Sequence, residues 1–134
     1  MAQRKHVQGV SEKRDSVDEV ALKRLRDRLR DFATARDWKQ FHSPKNLCNR
    51  TQRRRLVKLL EHFQWVSDGD SLAPPASKLG EIKEEIADVL LYLIRLADIL
   101  NVDLIRTANE KIDANSLKYP VEKSRGSAKK YTEL

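Results

Sequence analysis

The stretch that decides the fold is KLGEIKEEIADVLLYLIRLADIL, residues 78–100. Its apolar side chains recur every three or four residues, at Ile82, Ile86, Val89, Leu93, Leu96 and Leu100, and others at Leu90, Leu91 and Ile94 widen the stripe. A helix that is apolar on nearly all sides is typical of the centre of a helical protein. The stretch therefore predicts a central helix from about Lys78 or Gly80 to Leu100.

Helical patterns flank this central helix on both sides. The predicted ranges are about 15–36, 44–66 and 103–117, with Asp15 or Ser16 as the cap of the first helix. The two prolines of SLAPPAS, residues 71–77, predict a loop because proline cannot occupy a helix interior. We expect a flexible polar leader over residues 1–16, one helical domain over 17–120 and a C-terminal tail over 121–134.

Composition agrees with an all-α protein. The 134 residues include only 4 glycines and 4 prolines, and 35% are charged. The single cysteine, Cys48, together with the lack of a long apolar run, favours a cytoplasmic protein. The net charge of +7 would suit a polyanion, but aromatic residues are only 6%. We therefore expect no membrane and no dedicated nucleic-acid partner.

An acidic stripe lies on the predicted central helix. Glu81, Glu85, Asp88 and Tyr92 follow each other at i, i+4, i+7 and i+11 and so share one face. Two carboxylates at this spacing can bind a hard cation such as Mg²⁺. Alternatively, acidic residues in a first helical turn complement the helix dipole, with Asp88 bonded to a basic neighbour. The spacing leaves both interpretations open.

Four blocks of the sequence carry a resemblance to a known family. These are RDWKQFHSPKNL (36–47), LLEHFQW (59–65), EEIADVLLYLIRLADIL (84–100) and KYPVEKSRGSAKKYTEL (118–134). In this order they resemble the MazG-like nucleotide pyrophosphohydrolases, and among these the dCTP pyrophosphatase group. The resemblance implies an all-α, four-helix MazG-like bundle that assembles as a homodimer or homotetramer.

The resemblance also implies an activity. Such enzymes use Mg²⁺ to split a nucleoside triphosphate, here one like dCTP, into monophosphate and pyrophosphate, and so clean the nucleotide pool. Glu85 and Asp88 match the ExxD half of the family signature, which implies catalytic and metal-binding roles, and Glu61 is a weaker metal candidate. Substrate contacts are implied for Trp38, Lys39, Gln40, Phe41, His42, Trp65 and Tyr92.

The other half of the signature is missing. Where the family reads approximately NLAxALxxEAGELLEHFQW, this chain reads NLCNRTQRRRLVKLLEHFQW, residues 46–65. Lys58 stands at the second signature glutamate, and Arg54 or Arg55 at the first. Cationic side chains offer no lone pair to a metal, so we expect the chain as written to be weakly active or inactive. The alternatives are a non-catalytic nucleotide-binding or oligomerisation module, and a polyanion binder that uses residues 50–55.

Two explanations fit the basic segment 48–58. Single-base deletions at Cys48, at the junction of Arg54 with Arg55 and at Lys58 would, for one choice of codons, convert it to AIALSVEAGE, which restores the family pattern. In that case the segment is a local frameshift. Otherwise it is a genuine basic segment, which would place Arg50, Arg53 and Arg54 at positions where the family buries small apolar side chains.

Overall fold

The computed structural model describes the backbone of residues 3–48 and 53–133 and the side chains of residues 17–48 and 54–133. All regular structure in these ranges is helical, as predicted. The helices are α1 (Gln3–Ala35), α2 (Pro44–Asn46), α3 (Arg53–Glu61), α4 (Asp68–Ser71), α5 (Ala76–Ile99), α6 (Leu104–Lys118) and α7 (Val121–Ser124), with 3-10 turns at Trp38–Phe41 and Tyr131–Glu133. Among these described helices, none is both long and apolar enough to cross a membrane.

The chain divides into two compact units, Met1–Asn101 and Val102–Leu134. In the first unit, α5 packs against both α3 and α1. The buried apolar side chains of the described part are Ala33, Leu47, Ile82, Ile94 and Ala97. The core therefore lies along α5, which confirms its prediction as the central helix.

The buried stripe predicted for α5 is wrong in part. Ile82 is buried, but Ile86 is 52% exposed and Leu93 is 43% exposed. Ile94, which was predicted in the widened stripe, is buried, and so is Arg95, which was not predicted. Periodicity shows that α5 is apolar on several sides, but α1 and α3 lie against only part of that surface.

The predicted start of the first helix is also wrong. The helix begins at Gln3, in place of Asp15 or Ser16. No proline interrupts Gln3–Ala35, and lysine, arginine and glutamate, which favour helix, are frequent in it. The division into leader, domain and tail stays a prediction.

The second helix, predicted as continuous over 44–66, is described as two pieces. Ser43 caps α2, where its hydroxyl accepts a hydrogen bond from the N–H of Asn46 at 3.2 Å. The second piece, α3, ends at Glu61 because the next N–H groups turn back more tightly, with Phe63 donating to the carbonyl of Leu60 at 2.9 Å.

In the second unit, α6 matches its predicted range to within one residue at each end. The carboxylate of Asp103 accepts from the N–H of Arg106 at 3.0 Å and so caps the helix. The tail adds an edge-to-face contact between Tyr119 and Tyr131, whose ring centroids are 6.0 Å apart.

Candidate functional site

Two acidic residues of α5 meet two basic residues of α3. Arg55 Nη1 lies 2.7 Å from Asp88 Oδ2 and 3.3 Å from Glu85 Oε2. Lys58 Nζ lies 3.7 Å from Glu85 Oε1. Glu85 and Asp88 share one face of α5 because they are one turn apart, as do Arg55 and Lys58 on α3. The packing of α3 against α5 brings these two faces together. We call these four side chains the paired-charge cluster.

The paired-charge cluster is partly shielded from solvent. The Glu85 side chain is only 14% exposed, whereas Arg55 is 31% and Asp88 is 36% exposed. Two carboxylates and two cations leave the cluster formally neutral. The alternative to a metal site was that Asp88 binds a basic neighbour, and Arg55 is such a neighbour.

Beside the cluster lies an open cleft of about 390 Å³. Its lining is mostly ionisable and consists of Lys58, Glu61, His62, Lys78, Glu81, Glu84 and Glu85. Within it, Glu81 Oε2 lies 3.2 Å from Lys78 Nζ and 3.7 Å from His62 Nδ1. The predicted candidate Glu61 thus shares a cleft with Glu85.

The residues present do not fit a Mg²⁺ site. Over the described ranges, no three His, Cys, Asp or Glu side chains gather closely enough to hold a metal. Arg55 and Lys58 occupy the oxygens of Glu85 and Asp88, and neither cation has a lone pair to offer. The metal-binding set predicted from Glu85, Asp88 and Glu61 is therefore not assembled in this structure.

The rest of the basic segment falls partly outside the description. Arg50 lies in the undescribed residues 49–52, and the side chain of Arg53 is also outside the described set. Arg54 is exposed, so the expectation that it would be buried is wrong. Helix α3 turns Arg54 to solvent and Arg55 toward the carboxylates, which avoids an unpaired buried cation.

The predicted substrate segment 38–42 forms a compact aromatic corner after α1. Trp38 packs edge-on against Phe32, with ring centroids 5.6 Å apart, and against His42 at 6.2 Å. Asp37 adopts left-handed backbone geometry at φ 53°, and its carbonyl accepts from Gln40 Nε2 at 3.0 Å. This turn brings Trp38 and His42 together, while Lys39 and Phe41 point to solvent.

Behind this corner lies a charged network that the sequence reasoning missed. Arg95 Nε donates to His42 Nδ1 at 3.1 Å, and Arg95 Nη1 donates to Asp98 Oδ2 at 3.1 Å. Arg30 Nε of α1 donates to the same Asp98 oxygen at 3.2 Å. The sequence did carry a signal for this network: an arginine and an aspartate, three residues apart, lie inside the apolar run LIRLADIL.

The pKa values of Asp98 and His42 are both displaced in this network. The hydrogen bond from Arg30 holds the pKa of Asp98 below its ordinary value, against the opposing effect of burial. Burial, and then the positive charge of Arg95, lower the pKa of His42. The network therefore favours an ionised Asp98 and a neutral His42.

Two further residues predicted to contact substrate, Trp65 and Tyr92, belong neither to the paired-charge cluster nor to the aromatic corner. Trp65 is 88% exposed, in the turn after α3. Tyr92 is half-buried on α5, one turn from Asp88 and one turn from Arg95. The stacking role of Trp65 and the substrate contact of Tyr92 stay predictions.

Known proteins resemble most of this chain. The MazG-like family profile matches residues 51–134. A dCTP pyrophosphatase 1 from Mus musculus is 43% identical over 119 residues, which cover 87% of this chain and 69% of that protein. The Homo sapiens dCTP pyrophosphatase 1 is 39% identical over 118 residues, with the same coverage. The crystal structure of a pyrophosphatase from Archaeoglobus fulgidus is also similar, with a TM-score of 0.70 and 38% sequence identity. The match covers 75% of this chain and 93% of that one.

Proposed function

The chain belongs to the MazG-like family, and from that premise we propose that it is a nucleoside triphosphate pyrophosphohydrolase that acts on a dCTP-like nucleotide. The reaction adds water between the α and β phosphates, releasing monophosphate and pyrophosphate, and its role is nucleotide-pool cleaning. The observation that carries the proposal is the position of Glu85 and Asp88, side by side on α5 and turned toward α3. Both relatives at about 40% identity are named for the same activity on dCTP.

We further propose that turnover by the chain as written is low. Glu85 and Asp88 are the carboxylates expected to bind the catalytic cation, and both are engaged by Arg55. The family is generally metal-dependent. Mg²⁺ is the proposed cation, and we expect this chain to bind it only when Arg55 and Lys58 are replaced by carboxylates, because a dication is repelled by the positive charges now present.

A second candidate function is nucleotide binding without catalysis. The ion pairs of Arg55 with Glu85 and Asp88 favour it, because they keep α3 and α5 together without a metal. The aromatic corner at Trp38 and His42 retains a surface suited to a base. In this case the chain would bind dCTP and release no pyrophosphate.

We also propose that the chain assembles as a homodimer or homotetramer. Large apolar side chains on α3 and α5 are exposed, namely Leu56, Val57, Leu60, Ile86, Leu90 and Leu93. Covering such side chains with a second copy would remove them from water, at about 25 cal/mol for each Å² of apolar surface. Sedimentation at several concentrations tests this; a monomer at all of them would contradict it.

The deciding experiment measures pyrophosphate release from a panel of dNTPs with Mg²⁺. It compares the chain as written with a version carrying AIALSVEAGE in place of residues 48–58, and with Arg55→Glu/Lys58→Glu. Arg28→Glu/Lys83→Glu is the matched control, because it makes the same charge change at exposed positions of α1 and α5, outside the paired-charge cluster and away from the signature positions.

We expect turnover, with dCTP preferred, from the first two variants and little from the control or the chain as written. Saturable dCTP binding without turnover in every variant would favour the non-catalytic module. Turnover by the chain as written at the rate of the AIALSVEAGE version would show that the paired-charge cluster is not inhibitory. Steeply salt-dependent binding of nucleic acid would instead support the polyanion alternative.

A further inference from the structure

The contact between Arg95 and His42 fixes which imidazole nitrogen carries the proton. Arginine has only donors, so His42 Nδ1, at 3.1 Å from Arg95 Nε, must present its lone pair. An imidazolium would carry a proton on both nitrogens and could not accept this bond. The contact therefore selects the neutral tautomer with hydrogen on Nε2.

The guanidinium of Arg95 is itself held in place. Arg95 is only 6% exposed, and Asp98 accepts from it while also accepting from Arg30. A planar guanidinium donates to two partners in fixed directions, which a lysine ammonium does not reproduce. Arg95 is held in place by Asp98 on the same helix, and it therefore fixes the orientation of the His42 imidazole.

The spacing between Asp88 and Arg95 places these two residues on the same face of α5. Arg95 follows Asp88 by seven residues, which is two turns and roughly 10 Å along the helix axis. The triphosphate and the base are at opposite ends of a nucleotide. A nucleotide with its phosphates near Glu85 and Asp88 could therefore extend along α5 toward Trp38 and His42.

We infer that Arg95 is a positioning residue that holds the His42 imidazole neutral and oriented, so that its Nε2–H serves as a hydrogen-bond donor to an acceptor oxygen of the bound nucleotide. The inference rests on the proposed function. It assigns the nucleotide site a fixed donor beside Trp38, kept in one protonation state by Arg95 from α5, with Asp98 and Arg30 behind it.

Nitrogen NMR of the labelled full-length chain at pH 7 tests the tautomer without any need for activity. In the chain as written, we expect His42 to show an unprotonated Nδ1 and a protonated Nε2. Arg95→Met should lose this signature, and Arg95→Lys should weaken it. Arg106→Lys, an exposed arginine of α6, is the control and should leave it unchanged. A protonated Nδ1 in the chain as written would overturn the inference, even if the Arg95 variants fail to fold.

Calorimetric titration with a non-hydrolysable dCTP analogue tests the donor role. His42→Ala and Arg95→Met should each weaken binding about fivefold, the value of one ordinary hydrogen bond. The double variant should bind no worse than His42→Ala alone, because Arg95 acts through His42. A further loss in the double variant would overturn the positioning role.

The two readouts separate this inference from the proposed function. If the analogue binds normally to His42→Ala, the donor role is overturned while the proposed function stands. If the analogue binds neither the chain as written nor any variant, the proposed function fails and the donor role with it, whereas the NMR result still decides the tautomer.

Discussion

Replacing Arg55 and Lys58 by glutamate should turn the paired-charge cluster from a metal-independent contact into a metal-dependent one. In the chain as written, Arg55 Nη1 reaches both Asp88 and Glu85, and Lys58 adds a longer contact to Glu85. Arg55→Glu/Lys58→Glu would face two carboxylates with two more. Such a group repels itself in the absence of a cation and offers oxygen ligands in its presence.

The size of the effect follows from the burial of the cluster. Exposed ion pairs contribute about 0.2–1 kcal/mol, and breaking a buried pair costs about 3–5 kcal/mol. Arg55 is 31% exposed and Asp88 is 36% exposed, so their pair lies between these limits. Loss of the pair and the new repulsion together should lower the free energy of unfolding by about 2–4 kcal/mol without metal.

Thermal unfolding with Mg²⁺ or with a chelator measures this change. Mg²⁺ at about 100 times its Kd should stabilise the double variant by about 2.7 kcal/mol. For a chain of this length, that corresponds to a Tm increase of roughly 10 °C. The chain as written and the control Arg28→Glu/Lys83→Glu should unfold at the same temperature in both conditions. A comparable Mg²⁺ response of the chain as written would refute the reasoning, as would no response of the double variant.

Three further predictions concern stability. Because the pKa of His42 is lowered in the native state, the native state binds fewer protons than the unfolded state. The free energy of unfolding should therefore fall as the pH drops below 6.5, the ordinary pKa of histidine. Urea denaturation at a series of pH values should show this fall in the chain as written and a flatter profile in His42→Ala. Asp98→Asn should cost about 2–4 kcal/mol in urea denaturation, because it leaves the buried Arg95 without its carboxylate; a loss within about 0.5 kcal/mol, the size of an ordinary surface substitution, would contradict this. Leu47→Ala should lower the free energy of unfolding by about 2–5 kcal/mol, since Leu47 is 2% exposed. Leu72→Ala, at a site 86% exposed, is the control and should change it by no more than about 0.5 kcal/mol. Equal losses of stability in the two variants would refute the assigned core.

Much of the local structure could be predicted from the sequence. The period of apolar residues placed the start of α5 two or four residues late and its end one residue late, and Asp103 was correctly predicted at the start of α6. Helix ends without a strong signal were less predictable. Residues 3–16 carry no apolar stripe but also no breaker except Gly9, so α1 extends far beyond the predicted start.

The candidate site was predictable only where it depends on spacing within one helix. Glu85 and Asp88 lie on one face of α5 because they are three residues apart. The resemblance to the family predicts that cations stand at the positions of its other two signature glutamates. Spacing could not show that Arg54 points to solvent while Arg55 reaches both carboxylates, since that depends on how α3 is rotated against α5.

The sequence by itself determined an all-helical chain, its central helix and the acidic pair, because periods of three and four residues fix which side chains share a helix face. Only the tertiary structure decided that Arg55 and Lys58 neutralise that pair and that Arg95 binds His42, 53 residues away along the chain. These contacts depend on the crossing and offset of separate helices, which are set by packing across the core and not by local spacing.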